Sequence, residues 1–113
     1  MSLPEAARTT DAGAFRLVAT PAGGLAAQGP LNFTSARRAC ELGVHALAAA
    51  TGSKLEIDCH GITVSDSAGL AVLLEWLGAA KRAGRALRYT QLPAGLAALA
   101  HISDLQELLE RGV

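Results

Sequence analysis

The sequence predicts a single α/β domain, a mixed sheet of about four strands covered by three to four helices. Three observations carry that prediction. Short stretches with apolar residues at every second position take turns with longer stretches in which apolar residues recur three and four apart. Helical segments separate the later strands, so those strands are joined by crossovers and lie parallel to a neighbour. The chain has 113 residues, enough for one core and too few for two, since a domain of this size buries about 60 to 70% of its unfolded surface. Half of the residues are apolar, many of them Ala, and the aromatic complement is two Phe, one Trp and one Tyr. The core is therefore expected to be aliphatic and fine-grained.

Residues 1–13 show no sustained period and read as a mobile lead-in, with the domain proper over 14–113. Phe15, Leu17 and Ala19 form a short first strand, which Pro21-Ala22-Gly23-Gly24 terminates. Leu25-Ala26-Ala27-Gln28 is a second strand, ended by Gly29-Pro30. Thr34 or Ser35 can cap a helix whose stripe is Ala36, Ala39, Cys40, Gly43 and Leu47, with Gly52 as a left-handed stop. Gly43 costs such a helix about 0.5 to 1 kcal/mol relative to Ala, which marks close packing against the sheet.

Leu55, Ile57 and Cys59 alternate with Glu56 and Asp58 as a strand with one buried face. After Val64 the period changes. Leu70, Leu73, Leu74, Leu77 and Ala80 make one apolar stripe on a helix, which Gly84 closes. Ala86-Leu87-Arg88-Tyr89-Thr90 is a fourth strand, and Pro93 suits the start of a third helix with the stripe Leu96, Leu99, Ala100 and Ile102. Ser103 can cap a last helical turn through Leu105, Leu108 and Leu109, and no fifth strand is legible beyond Leu105.

The junction Ser65-Asp66-Ser67-Ala68-Gly69 is where strand gives way to helix. A short polar residue there is explained by capping, through either Asp66 or Ser67. Two of them followed by Ala68-Gly69 leave the helix start uncovered. A strand ending in a short polar turn, then Asp-Ser-Ala-Gly-Leu opening a Leu-rich helix, resembles the STAS family, the sulfate transporter and anti-sigma factor antagonist domain. The likeness is strongest from Leu55 to Leu77 and extends more weakly over nearly the whole chain through the order of elements.

That resemblance implies a STAS-like fold and a non-catalytic regulatory module. It makes Ser67 the possible phosphoacceptor and puts partner binding on Asp66, Ser67 and the helix from Ala68 onward. Family members often carry one more strand near the C-terminus, which this sequence does not display. Within the family, Gly69-Leu70-Ala71-Val72-Leu73-Leu74 and the tail from Leu96 to Leu109 are similar to the cytoplasmic accessory subunit of Mla phospholipid ABC transporters, whose partner is the ATPase subunit. The alternative is an anti-sigma factor antagonist, with a serine kinase acting at Ser67 as its partner.

Composition narrows the remaining functions. Ten basic and ten acidic residues cancel, which removes the electrostatic footprint of a nucleic-acid binder. No apolar run reaches the about 18 residues of a membrane span, and the first residues do not read as a signal peptide. Contact with a membrane would be indirect, through a transporter complex. Two cysteines, Cys40 and Cys59, make no disulfide framework, so cytoplasmic residence is expected.

Ser67 sits in a setting like the nucleophile elbow of hydrolases, but Ser65 replaces the first Gly. No acid and base follow at interpretable places, although His45, His60 and His101 are candidates, so a small hydrolase is only a remote alternative. Cys59 and His60 are adjacent and point to opposite faces of a strand, which disfavours a shared metal. No phosphate-binding glycine loop is present, and no cofactor is implied. Lys81, Arg82, Arg85 and Arg88 read more simply as helix-end and surface charges than as an acidic-partner patch. Beyond its core stripe the second helix carries Ala68, Val72 and Ala79 with Glu75, and Trp76 on its flank. The resemblance turns these toward docking, giving Asp66, Ser67, Ala68, Gly69, Val72, Glu75, Trp76 and Ala79 as the expected partner-binding set.

Overall fold

A computed structural model of the chain describes residues 14–50 and 52–111. The element order is β1 (Arg16–Ala19), β2 (Leu25–Leu31), α1 (Ala36–Ala49), β3 (Lys54–Ser65), α2 (Ser67–Arg82), β4 (Ala86–Thr90), α3 (Ala94–Ile102) and α4 (Gln106–Arg111). The strands lie side by side in chain order, with β1 antiparallel to β2 and the pairs β2–β3 and β3–β4 parallel. This is the expected α/β domain, with a four-stranded mixed sheet and four helices among the described residues. The expected lead-in, 1–13, lies outside the described residues.

The sheet is one-sided. Ala27, Leu31, Leu55, Ile57, Cys59, Ile62, Leu87 and Tyr89 point into a core roofed by helices. The alternate positions Arg16, Lys54, Glu56 and Arg88 stay exposed, and Glu56 faces Arg88 in register, its Oε2 accepting from Nε at 2.8 Å. An exposed cross-strand pair of this kind adds at most about 1 kcal/mol. The helical layer does the stabilising work.

β2 runs further than its composition suggests. It continues through Gly29 and Pro30 to Leu31, because β1 pairs it only as far as Gln28 and the missing amide of Pro30 falls beyond that partner. Gly29 has φ +92°, and a Cβ there would stand 2.6 Å from the carbonyl oxygen of Ala14. Only glycine permits that approach. β3 is longer still, with two register shifts against β2, so that Leu25 aligns with Ile57, Gly29 with Ile62 and Leu31 with Ser65. Each shift is one extra residue in β3, a bulge.

The helix ends differ from expectation at two places. Gly84 closes α2 as read: it has φ +74°, its amide donates to Lys81 O, and the Arg85 amide reaches Ala80 O at 2.9 Å. Gly52 has no such role, for α1 ends at Ala50 in extended backbone. Ser103 does not cap α4; it ends α3, its amide donating to Leu99 O. Asp104, with φ +61°, repeats the left-handed closure used by Gly84. Ile102 consequently falls off the α3 stripe and is exposed.

Candidate functional site

The site is built where β3 turns into α2. Asp66 is the N-cap, in extended backbone, and its Oδ1 accepts from the amides of Ala68 at 2.9 Å and Gly69 at 3.1 Å. These are two of the free donors with which any α-helix begins. The other oxygen, Oδ2, accepts from the amide of Phe33 at 3.0 Å. The Phe33 amide, ahead of those of Gly69 and Ala68, holds the Asp66 carboxyl below the usual carboxylate range. Partial burial opposes that shift without reversing it. Ser67 follows as the first helical residue and is exposed.

Phe33 belongs to the connection between β2 and α1. Asn32 shapes that turn: its Oδ1 accepts from the Thr34 amide at 3.1 Å and the Thr34 hydroxyl at 2.8 Å. Ser35, the helix boundary, makes no side-chain cap and instead donates from Oγ to Pro30 O at 2.8 Å. The result is a tight turn that projects Phe33 outward with 81% of its surface exposed. Sequence reasoning missed this residue. The available signal was an aromatic inside a polar turn, off every apolar stripe.

Trp76 lies elsewhere. The docking role expected of it fails because α1 covers it completely: no part of the side chain reaches solvent, and Nε1 donates to Ala39 O at 3.2 Å. Gly43 supplies the room, since a Cβ on Gly43 would overlap the indole. The close packing expected at Gly43 is thus against α2 rather than the sheet. Phe15 and Tyr89 flank the indole with ring centroids at 5.9 and 6.5 Å, and the Tyr89 hydroxyl donates to Leu73 O at 2.6 Å.

Val72, Ala79 and Gly69 are buried with it and cannot form a docking surface. Leu74, expected in the core, is only half-buried at its edge. Helix α2 is flanked by both α1 and α3, which leaves a narrow solvent stripe of Ser67, Ala71 and Glu75 ahead of its basic end. Of the expected set, Ser67 and Glu75 are exposed, while Asp66 and Ala68 are partly so.

The other candidate chemistries find no assembled site. Cys59 is buried, and its thiol is pushed up to about 12 mainly by that burial. Cys40 on α1 is raised by burial, then by Glu75 and Glu41. His60 points to solvent. Among the described residues no group of three or more His, Cys, Asp or Glu could hold a metal ion, and no hydrogen bond joins Ser67 to a histidine. Of the basic group, Arg85 donates to Gly52 O at 2.6 Å and Arg88 pairs with Glu56, whereas Lys81 and Arg82 end α2. No helix among the described residues is long and apolar enough to cross a membrane.

With that geometry in place, comparison with known proteins adds both a family and a fold. A family model described as "Mlab, STAS domain" matches residues 16–110. The solved structure of an anti-sigma factor antagonist, SpoIIAA in its unphosphorylated form, superposes with a TM-score of 0.57 at 11% identity, covering 86% of this chain and 84% of that one. At that identity the likeness is one of fold. No curated protein sequence is significantly similar to the chain.

Proposed function

Because the chain belongs to the STAS domain family, we propose that it is a non-catalytic accessory module whose protein partner docks around Ser67 and Phe33, the partner being the ATPase subunit of a Mla-type phospholipid ABC transporter. The observation that carries this reading is the exposed Phe33, tied by its own amide to the cap of α2 beside Ser67. A large aromatic left in water beside the exposed Ser67 suits a recess on a partner, and aromatic residues are frequent anchors of interfaces. Arg37 and Arg38, exposed on the first turn of α1, add positive charge near it, which suits a recess with an acidic margin. The transporter branch is favoured by the family description that covers residues 16–110.

Ser67 is the control point in this reading. A phosphoryl group would add about −1.5 to −2 charges beside Asp66, a repulsion that the helix N-terminus partly offsets, so the domain stays folded while binding changes.

Co-purification from the native cell tests the partner. Recovery of an ATPase with a permease supports the transporter reading, whereas recovery of a sigma-regulating kinase replaces it with the anti-sigma factor antagonist. With the partner in hand, Ser67→Asp is expected to leave circular dichroism unchanged and weaken binding. Phe33→Ala is expected to lose about 2 kcal/mol or more of binding energy, as anchor residues do. Full binding by both variants sinks the surface assignment.

A further inference from the structure

Capping uses one oxygen of Asp66, yet both are engaged. Oδ1 serves Ala68 and Gly69 within its own turn, and Oδ2 reaches back 33 residues to the Phe33 amide. The carboxylate therefore bridges the connection leading into α1 and the one leading into α2, just beyond the point where Leu31 pairs with Ser65. A side chain as exposed as Phe33 has almost no packing to hold it. Its place is set through its backbone, by the Asn32 turn on one side and by Asp66 on the other.

We infer that Asp66 is a positioning residue for docking, tethering the Phe33 turn to the start of α2 so that Phe33 and Ser67 present one preformed surface. This rests on the docking reading given above. The ordering entropy of a loop that must settle on binding is subtracted from affinity, so a tether made in the free protein strengthens binding without touching the partner. The chemistry also accounts for Asp at this position. Ser or Asn caps a helix about as well, but neither offers a second acceptor oxygen for the Phe33 amide while the first caps.

Asp66→Asn and Asp66→Ser separate the two roles. Both variants should keep the cap, with amide exchange at Gly69 close to that of the parent protein and only a small fall in the thermal midpoint. Hydrogen exchange at the Phe33 amide in the free chain should accelerate about tenfold or more, as loss of a hydrogen bond to a charged acceptor predicts. Affinity for the ATPase subunit should fall by a similar factor, and Asp66→Ala should lose both tether and cap.

Unchanged exchange at Phe33 in Asp66→Asn and Asp66→Ser overturns the tether, whatever the partner proves to be. Faster exchange with unchanged affinity overturns the positioning role if Phe33→Ala itself weakens binding. If Phe33→Ala binds normally, the docking reading is what fails, and the exchange result on the free chain records that failure separately from the tether.

Discussion

Three of the four aromatic side chains of this protein, Phe15, Trp76 and Tyr89, form a buried row beneath the helices, and the fourth, Phe33, stands almost wholly in water. The two regions are built on opposite terms. Around Trp76 the backbone makes room for the side chain: Gly43 vacates the volume and Ala39 O takes the indole proton. Around Phe33 polar groups fix the backbone, through Asn32 and Asp66, and leave the ring free. One ring stabilises the fold, and the other is available for recognition. A large residue's value for docking is thus decided by its neighbours and not by its size.

The strongest way to break that contrast is Trp76→Ala. Removing a fully buried Trp typically costs about 3 to 5 kcal/mol, so the thermal midpoint should fall sharply. A stable Trp76→Ala variant that has lost partner binding would return Trp76 to the surface role and overturn the buried row.

A pair of glycines sharpens the comparison next. Gly43→Ala adds a methyl where the indole lies, and overpacking of this kind costs about 1 to 3 kcal/mol despite the gain in helix propensity. Gly78→Ala in α2 meets only the mobile tip of Arg82, at 3.3 Å, and should stabilise by about 0.5 to 1 kcal/mol. Denaturant midpoints of the two variants should therefore move in opposite directions. Movement in the same direction would show that the notch at Gly43 is not specific.

The smallest effect is expected on the acid side. The Asp66 carboxyl is held below its ordinary range by the Phe33, Gly69 and Ala68 amides. Its contribution to stability is therefore fully present above the unfolded-state value and disappears as pH falls through the lowered folded value. Thermal melts of the parent protein and Asp66→Asn should differ at neutral pH and converge in acid. A difference that persists unchanged into strong acid would mean that the ionised carboxylate contributes nothing.

Much of the fold was legible because its periods are clean. Leu55, Ile57 and Cys59 alternate, the α2 leucines recur at helical spacing, and Gly84 stops α2 where a left-handed residue was needed. What stayed hidden depended on neighbours. Pro30 reads as a strand breaker until β1 is seen to end its pairing before it. Val72, Trp76 and Ala79 lie off the leucine stripe, and spacing alone does not say that α1 lies over them. The pairing of a mid-helix Gly43 with the chain's single Trp was a clue to that notch. At the site, Asp66 and Ser67 were found through the strand-to-helix junction, whereas Phe33 lay 33 residues from Asp66 in a segment with no period to mark it.

The two bulges in β3 carry a consequence for how the chain tolerates change in length. In β2 Ala27 and Leu31 are buried and Leu25 packs against the core, while β3 meets Leu25, Gly29 and Leu31 at Ile57, Ile62 and Ser65 and so ends two residues behind. Gly61 sits at the first offset, where a Cβ would stand 2.9 Å from the Gln28 side chain and 3.0 Å from Ala27 O. The strand thus works as a phase-setter. Exchanging one exposed side chain for another at Thr63 leaves the phase alone, whereas losing a single residue between Cys59 and Ser65 turns Ile62 outward or Ser65 aside. In either case Asp66 arrives half a pleat out of step with Phe33, so the residue count of this strand matters more to the site than the identity of its exposed side chains.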